Sequence, residues 1–326
     1  MRDTEQQIIE MCQKEVISYA QVAYFSHQQW KKEWVNSEDI YPITMPCNLQ
    51  FDIASLTKVL GTTPIILQLL KEKKIMLTDK VSTYLPIKNQ DLEIIHLLTH
   101  TSNFVGYIPN RNQLPADQLE EALYKEMNPG NLLGKEVQYS DINFIYLGMI
   151  VEQIYHKPVQ QVIEEEILNK KSLQNTTFHP IAQQCIPTDW REKGIRRRGE
   201  VHDPKARILQ ERCGSAGLFS TLDDLCVLVE EYLSLPINSF VQTQLQQVWT
   251  KNAKGRTRSL GWVVEEKAET LTLSHTGYTG MYLCWNREKQ KAFIFLSQRF
   301  DHGDDNATYL TYRDSLIQKY IMEENL

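Results

Sequence analysis

Strand-like segments near both ends of this chain enclose a helical middle. Alternating apolar segments form a hairpin at residues 21–26 and 30–36, after a helical segment at 4–19. After about residue 256, four short strand segments and a last helix follow, at 260–265, 270–275, 281–286, 291–297 and 306–322. Helical periodicity dominates from 92 to 233. The pattern predicts an α+β fold in which one antiparallel sheet is built from both termini, flanked by the N- and C-terminal helices.

This order of segments also predicts how the chain divides. We expect residues 1–58 and 250–326 to form the sheet part and residues 59–249 to form a large, mainly helical insert. The segment from Ser55 to about Glu72 reads as a helix that Pro64 kinks. The cleft between the two parts is the expected place for a site.

Composition and charge exclude several classes of protein. The chain is 42% hydrophobic and 23% charged, which is typical of a globular protein, and its 326 residues can bury a substantial core. A net charge of −6 offers no general attraction to nucleic acid or to anionic lipid. The longest apolar window, 59–70, is too short to span a membrane. We therefore expect no nucleic-acid or membrane partner.

The N-terminus and the cysteines indicate a compartment. Residues 1–7 lack the apolar stretch of a secretory signal, and the six cysteines are scattered without a Cys-x-x-Cys pair. Scattered thiols suit a reducing compartment. If Met1 is the native start, the sequence predicts a cytoplasmic protein.

A serine and a lysine three residues apart lie where a short strand segment turns into a helix. Ser55 and Lys58 are then one helical turn apart on the same face. A serine hydroxyl becomes a useful nucleophile only beside a group that takes its proton. An alternative interpretation is an N-cap serine followed by a solvated lysine.

Two further motifs follow in the chain. Tyr139-Ser140-Asp141 precedes an apolar helical pattern, and His275-Thr276-Gly277 ends a strand-like segment. Each motif is a weak signal alone. Their order along the chain, after the Ser55 and Lys58 pair, is much more specific.

Together the three motifs resemble the serine β-lactamase and penicillin-binding-protein superfamily. Four longer stretches are similar to its class C β-lactamase and esterase-like branch: 51–58, 96–102, 216–221 and 275–280. The resemblance covers the chain from about Gln21 to about Ser297. It implies a β-lactamase and transpeptidase-like fold.

The resemblance also implies roles for individual residues. Ser55 would form an acyl-enzyme, with Lys58 and Tyr139 as the catalytic partners that handle its proton. The N–H groups of Ser55 and Tyr278 would hold the oxyanion. The substrate would contact Asp141, His275, Thr276, Gly277 and Tyr278. The two-step route requires no cofactor.

Two positions depart from the family pattern. Asp141 stands where relatives often carry Asn, and an ionised Asp141 would keep Lys58 charged and leave Tyr139 as the base, whereas a protonated Asp141 would reverse these roles. Asp141 also suits the N-cap of the following helix. His275 replaces a lysine, and a histidine is largely neutral at pH 7. These departures favour acyl substrates other than β-lactams.

The predicted function is therefore an acyl hydrolase for a small ester or amide substrate. The alternatives are a β-lactamase or D-amino-acid carboxypeptidase, and a weakly active binding or regulatory module on the same fold. His96 and His100 are four residues apart but lack a third ligand, so we expect no metal. The sequence does not indicate an oligomeric state.

Overall fold

A seven-stranded antiparallel sheet forms the centre of the protein. The structure, a computed structural model, describes residues 2–38, 40–42, 48–171, 173–188, 197–267, 270–303 and 305–324. Its strands are β1 (Tyr19–Ser26), β2 (Gln29–Val35), β3 (Ile40–Pro42), β4 (Phe51–Asp52), β5 (Phe104–Val105), β6 (Asn128–Pro129), β7 (Phe219–Ser220), β8 (Val263–Lys267), β9 (Thr270–Gly277), β10 (Met281–Asn286) and β11 (Lys291–Gln298). The order in the large sheet is β3-β2-β1-β11-β10-β9-β8.

The sheet joins the two ends of the chain through the pairing of β1 with β11. Ala23 lies opposite Ile294 in this pair, and Leu283 of β10 lies on the other side of Ile294. The α+β fold with a sheet built from both termini, predicted from the sequence, is confirmed. Two short pairs, β4 with β7 and β5 with β6, lie outside this sheet.

Helices cover both faces of the sheet. They are α1 (Asp3–Gln13), α2 (Thr63–Lys71), α3 (Ile94–Leu98), α4 (Ala116–Glu126), α5 (Asp141–Tyr155), α6 (Val159–Ile163), α7 (Pro204–Leu209), α8 (Leu222–Ser234), α9 (Phe240–Leu245) and α10 (Asn306–Glu323). One buried core lies between the sheet and the terminal helices α1 and α10. A larger core joins the other face to the helices of the middle of the chain.

Two predicted elements differ most from the structure in their bounds. The first helix ends at Gln13, not at residue 19, because Glu15 takes a left-handed conformation (φ 56°) that ends the helix, and Tyr19 already belongs to β1. Strand β8 begins at Val263 instead of residue 260, after Gly261 with φ 79°. A glycine adopts that backbone conformation without strain.

The helical segment that follows Ser55 has a π-helical turn just before Pro64, where the sequence predicts a kink. Residues Lys58–Thr62 form a π-helical turn, and the Thr63 N–H donates to the Lys58 carbonyl, five residues earlier. Proline has no N–H to continue the α-helical pattern, so a wider turn here costs little. Helix α2 then runs to Lys71, close to the predicted end. Among the described residues, no helix has both the length and the apolar character needed to cross a membrane.

Candidate active site

Ser55 lies on a sharp turn between β4 and the helical segment. Ala54, just before it, has φ 46°, a conformation that a residue with a side chain rarely adopts. The turn is closed by the Leu56 N–H, which donates to the Ile53 carbonyl at 3.0 Å, and by the Ala54 N–H, which donates to Asp52 Oδ1 at 2.8 Å. Such strain is characteristic of functional sites, where the surrounding structure maintains it.

Lys58 contacts Ser55 from the next helical turn. Its Nζ donates to Ser55 Oγ at 2.9 Å, to Asp141 Oδ1 at 2.9 Å and to the Ser215 carbonyl at 2.8 Å. The side chain is 0% exposed. Burial alone would lower the pKa of Lys58, but the Asp141 carboxylate and Tyr139 outweigh it and raise that pKa above its usual value. Lys58 is thus a buried cation at neutral pH.

Tyr139 also contacts Ser55. Its Oη lies 2.8 Å from Ser55 Oγ, and the side chain is partly exposed. The ring packs on His100, with 4.5 Å between ring centres. His100 is fully buried, and its Nδ1 accepts a hydrogen bond from the Ser140 N–H at 3.3 Å. His100 therefore braces the turn that presents Tyr139.

Asp141 is the first residue of α5 and not its N-cap. Ser140 is the N-cap, because its Oγ accepts from the Ile142 N–H at 3.3 Å, so the capping alternative for Asp141 is wrong. Asp141 Oδ2 lies 3.4 Å from the Nζ of Lys205. Burial opposes the ionised carboxyl, but Lys58 and Lys205 together hold the pKa of Asp141 well below its usual range. Asp141 is therefore ionised between two lysines.

Strand β9 forms another wall of the site. His275 is buried, its Nδ1 lies 2.9 Å from the Thr276 carbonyl, and its ring centre is 6.1 Å from that of Tyr139. Burial, with Arg258 and Lys58 nearby, lowers the pKa of His275 well below its usual value. A Cβ on Gly277 would lie 2.7 Å from the Ile53 carbonyl oxygen. Only glycine lets β9 approach the Ser55 turn this closely.

Comparison with known proteins identifies the family. Residues 23–316 match the family model described as Beta-lactamase. The chain belongs to the beta-lactamase family. It is a serine hydrolase of this family, and the predicted resemblance is confirmed.

Relatives and solved structures agree with this assignment. A protein of Salmonella schwarzengrund (strain CVM19633), named "Putative D-alanyl-D-alanine carboxypeptidase", is 28% identical over 312 residues, covering 79% of this chain and 71% of the relative. A class C beta lactamase from Rhodobacter sphaeroides has a TM-score of 0.74 at 16% identity, covering 98% of this chain and 99% of the other. The hydrolase EstCE1, with promiscuous acyltransferase activity, has a TM-score of 0.70 at 20% identity, with 96% and 97% covered.

Arg258 is a cation in the site of this beta-lactamase family member. No sequence motif indicated this residue. It is 5% exposed, and its Cζ lies 5.7 Å from the centre of the Tyr139 ring. Burial lowers the pKa of Arg258 to about 10, so it stays charged at neutral pH. Its Nη1 donates to the Gly261 carbonyl at 3.5 Å, and no carboxylate among the described residues pairs with it. One signal could have suggested its place: Arg258 lies 17 residues before His275, with one strand between them.

Two cavities meet at Tyr139. One, of about 260 Å³, is lined by Arg258 together with Tyr139, His275 and Thr276. The other, of about 170 Å³, is lined by Tyr139, Asp141 and Lys205, and by the apolar side chains of Ile108, Leu119, Leu123 and Met127. Tyr278, the last residue of the predicted site, is 44% exposed and packs on His202, with 4.9 Å between ring centres.

Proposed function

We propose that this serine hydrolase cleaves an amide or ester substrate that carries a free carboxylate, and that Arg258 binds this carboxylate. One observation carries the proposal: a buried guanidinium without a carboxylate partner among the described residues lines a cavity beside Tyr139 and His275. A buried cation is costly unless it is paired. A substrate carboxylate would supply the pair.

The charge state of the site supports Tyr139 as the base in acylation. Lys58, held charged by Asp141, has no lone pair with which to accept the Ser55 proton. Tyr139 Oη lies 2.8 Å from Ser55 Oγ. Lys58 Nζ and Arg258 Cζ lie 5.4 and 5.7 Å from the centre of its ring, where positive charge stabilises a phenolate. Lys58 and Arg258 would thus assist catalysis by electrostatics.

In the proposed reaction Tyr139 acts as a phenolate: Ser55 Oγ attacks the substrate carbonyl carbon while its proton passes to the phenolate oxygen. The N–H groups of Ser55 and Tyr278 bind the oxyanion, and one such donor contributes about 2.7–4 kcal/mol to transition-state stabilisation. Collapse of the intermediate breaks the bond to the leaving group, which takes the proton from Tyr139. A water molecule, deprotonated by the same oxygen, then attacks the acyl carbon. The bond to Ser55 Oγ breaks, Ser55 takes the proton back from Tyr139, and the acyl group leaves as a carboxylic acid.

Arg258 changes the substrate expected from the sequence. A neutral His275 supplies no fixed charge, and this favoured simple esters and amides over substrates with a carboxylate. Arg258 provides a permanent cation beside the same strand. The names of the Salmonella relatives agree with this, since a D-alanyl-D-alanine peptide ends in a free carboxylate. A D-amino-acid-terminated peptide is therefore the proposed class of substrate.

The cytoplasm stays our proposed compartment. The five cysteines within the described residues are buried and unpaired, as expected of a protein kept reduced; Cys47 lies outside those residues. Fractionation of the producing cell, with immunodetection, tests this assignment.

A matched pair of substrates tests the proposed function. One is a D-amino-acid-terminated peptide, and the other is the same peptide with its terminal carboxylate converted to an amide. We expect Arg258→Gln to lower kcat/KM for the first about 10- to 100-fold more than for the second, because a hydrogen bond to a charged group contributes about 1.5–3 kcal/mol. The electrostatic effect of Arg258 on Tyr139 is lost equally for both peptides.

Arg287→Gln is the control for loss of an arginine. Arg287 binds the Leu235 carbonyl at the far end of β10 from Gly277.

Equal kcat/KM for the two peptides in the wild type would contradict carboxylate recognition. A β-lactam that is hydrolysed faster than the peptide would move the assignment to the β-lactamase alternative, and absence of any turnover would favour the binding module.

A further inference from the structure

Asp52 is a buried carboxylate that the reaction described above does not use. It is 1% exposed and lies in β4, three residues before Ser55. Its Oδ1 accepts from the Ala54 N–H at 2.8 Å, and its Oδ2 accepts from the His202 N–H at 2.7 Å. The two oxygens of one carboxylate thus hold two segments that are about 150 residues apart in the chain.

The first contact holds the turn that presents the nucleophile. Ala54 has φ 46°, which its own side chain disfavours. The hydrogen bond from its N–H to Asp52 is therefore one of the contacts that maintain this conformation. The Asp52 carbonyl also accepts from Thr279 Oγ1 at 2.5 Å, next to Tyr278. Asp52 thus contacts both sides of the proposed oxyanion site.

The second contact holds the segment that delivers Lys205 to the site. Asp203, next to His202, accepts from the Ala206 N–H at 2.9 Å at the start of α7 and from Lys205 Nζ at 3.0 Å. Lys205 lies 3.4 Å from Asp141, and Asp141 accepts from Lys58 at 2.9 Å. The contacts form a closed path from the Ser55 turn through Asp52 and Lys205 back to Lys58.

We propose that Asp52 is a positioning residue that fixes the Ser55 turn and the Lys205 segment relative to each other, by accepting one N–H from each. The inference depends on the proposed function only in that Ser55 is the nucleophile. Misplacement of reacting atoms by about 1 Å can cost on the order of 100-fold in rate. Loss of either contact would therefore slow acylation without removing any group that touches the substrate.

The positioning role depends on pH. An ionised carboxylate accepts a hydrogen bond on each oxygen, whereas a protonated carboxyl would place its O–H against one of the two N–H groups. Burial raises the pKa of Asp52 to about 6, opposed by the two N–H bonds. Asp203 raises this pKa and Arg207 lowers it. The nearby Cys185 thiol is neutral at this pH, since burial raises its pKa to about 11. Acylation should therefore slow as the pH falls through about 6.

The experiment measures the rate of acylation by a fluorophosphonate from about pH 4 to 8 in the wild type, Asp52→Asn and Asp224→Asn. We expect Asp52→Asn to lower the rate about 10- to 100-fold and to lose the slope near pH 6. Asp224 is the matched control: it is 8% exposed and accepts from the Asn175 N–H and Thr176 Oγ1, both at 2.8 Å. We expect Asp224→Asn to lower Tm but to keep the fall in acylation rate near pH 6.

Hydrogen exchange at the Ala54 and His202 amides reports on Asp52 without catalysis. We expect these amides to be protected in the wild type above about pH 6, and less protected below it and in Asp52→Asn. Wild-type protection and acylation rates that do not change between about pH 5 and 7 would overturn the proposal, even if Asp52→Asn failed to fold. A wild type that is never acylated but shows the expected exchange would contradict the proposed function, and would support only that Asp52 holds the Ser55 turn and the Lys205 segment together.

Discussion

At the scale of single residues, the site depends on an ion pair between a fully buried lysine and a partly buried aspartate. Lys58 and Asp141 are 2.9 Å apart, and Lys205 approaches the other oxygen of Asp141. Removal of one partner of a buried pair leaves an uncompensated charge, which costs more than the pair itself gains. Asp141 is thus a structural requirement for a charged Lys58.

We expect Asp141→Asn to destabilise the protein by about 3 kcal/mol at pH 7. The carboxyl pKa is lower in the folded state than in the unfolded state, so the stabilisation is present above the unfolded pKa of about 3.9 and is lost as pH falls further. Urea titrations should therefore show a constant difference between variant and wild type from pH 7 to about 5, and a smaller one below about 4. A difference that grows on acidification would contradict an ionised Asp141.

The sequence predicted the residues with motif spacing and missed those without it. Ser55 and Lys58 are one helical turn apart, so local geometry alone brings them together. Arg258 and Lys205 reach the site only through the packing of distant elements. Their positions follow from tertiary contacts that no short pattern encodes. The site expected from His275 alone therefore lacked a cation, and the expected substrate lacked a carboxylate.

At the scale of elements, the close approach of β9 to the Ser55 turn determines the width of the site. Gly277 leaves no room for a Cβ, which would lie 2.7 Å from the Ile53 carbonyl oxygen. The sequence predicted the strand and the motif, but the distance between strand and turn depends on how the sheet packs. The same holds for the helical segment after Ser55. Pro64 predicted a kink in it, but the sequence did not predict the π-helical turn at Lys58–Thr62.

Gly277→Ala should therefore push β9 away from the turn. We expect a loss of about 1–3 kcal/mol in the free energy of unfolding, as for overpacking of a well-packed interior, with a larger fall in kcat than in the folded fraction. Denaturant titration and steady-state kinetics on the folded protein measure the two effects. Full activity with unchanged stability would show that β9 lies further from Ser55 than this structure places it.

At the scale of the whole molecule, two cores enclose one sheet. We propose that the sheet part (1–58 and 250–326) and the helical part (59–249) form the two walls of one cleft and do not fold independently. The larger core supports this, because it contains Ile53 and Leu283 together with Phe144 and Leu225. Unfolding followed by circular dichroism and by tryptophan fluorescence should give coincident transitions. Two separated transitions would contradict a shared core.

The smaller core should affect stability without affecting chemistry. Tyr320 of α10 is 1% exposed and stacks on Phe293 of β11, with 4.5 Å between ring centres. We expect Tyr320→Ala to cost about 3–5 kcal/mol, as for other large-to-small changes in a core. Because the ring lies on the face of the sheet covered by α1 and α10, kcat/KM per folded molecule should not change at temperatures below Tm. A selective loss of kcat would show that this core is coupled to the site.

The central claim is that Ser55 is the nucleophile and that Tyr139 takes its proton. Intact-mass measurement after treatment with a fluorophosphonate tests it in the wild type, Ser55→Ala and Tyr139→Phe. We predict one adduct on the wild type, mapped to Ser55 by peptide sequencing, none on Ser55→Ala, and labelling of Tyr139→Phe that is about 100- to 10,000-fold slower, as for loss of a general base. An adduct that persists in Ser55→Ala, or labelling of Tyr139→Phe at the wild-type rate, would contradict the account.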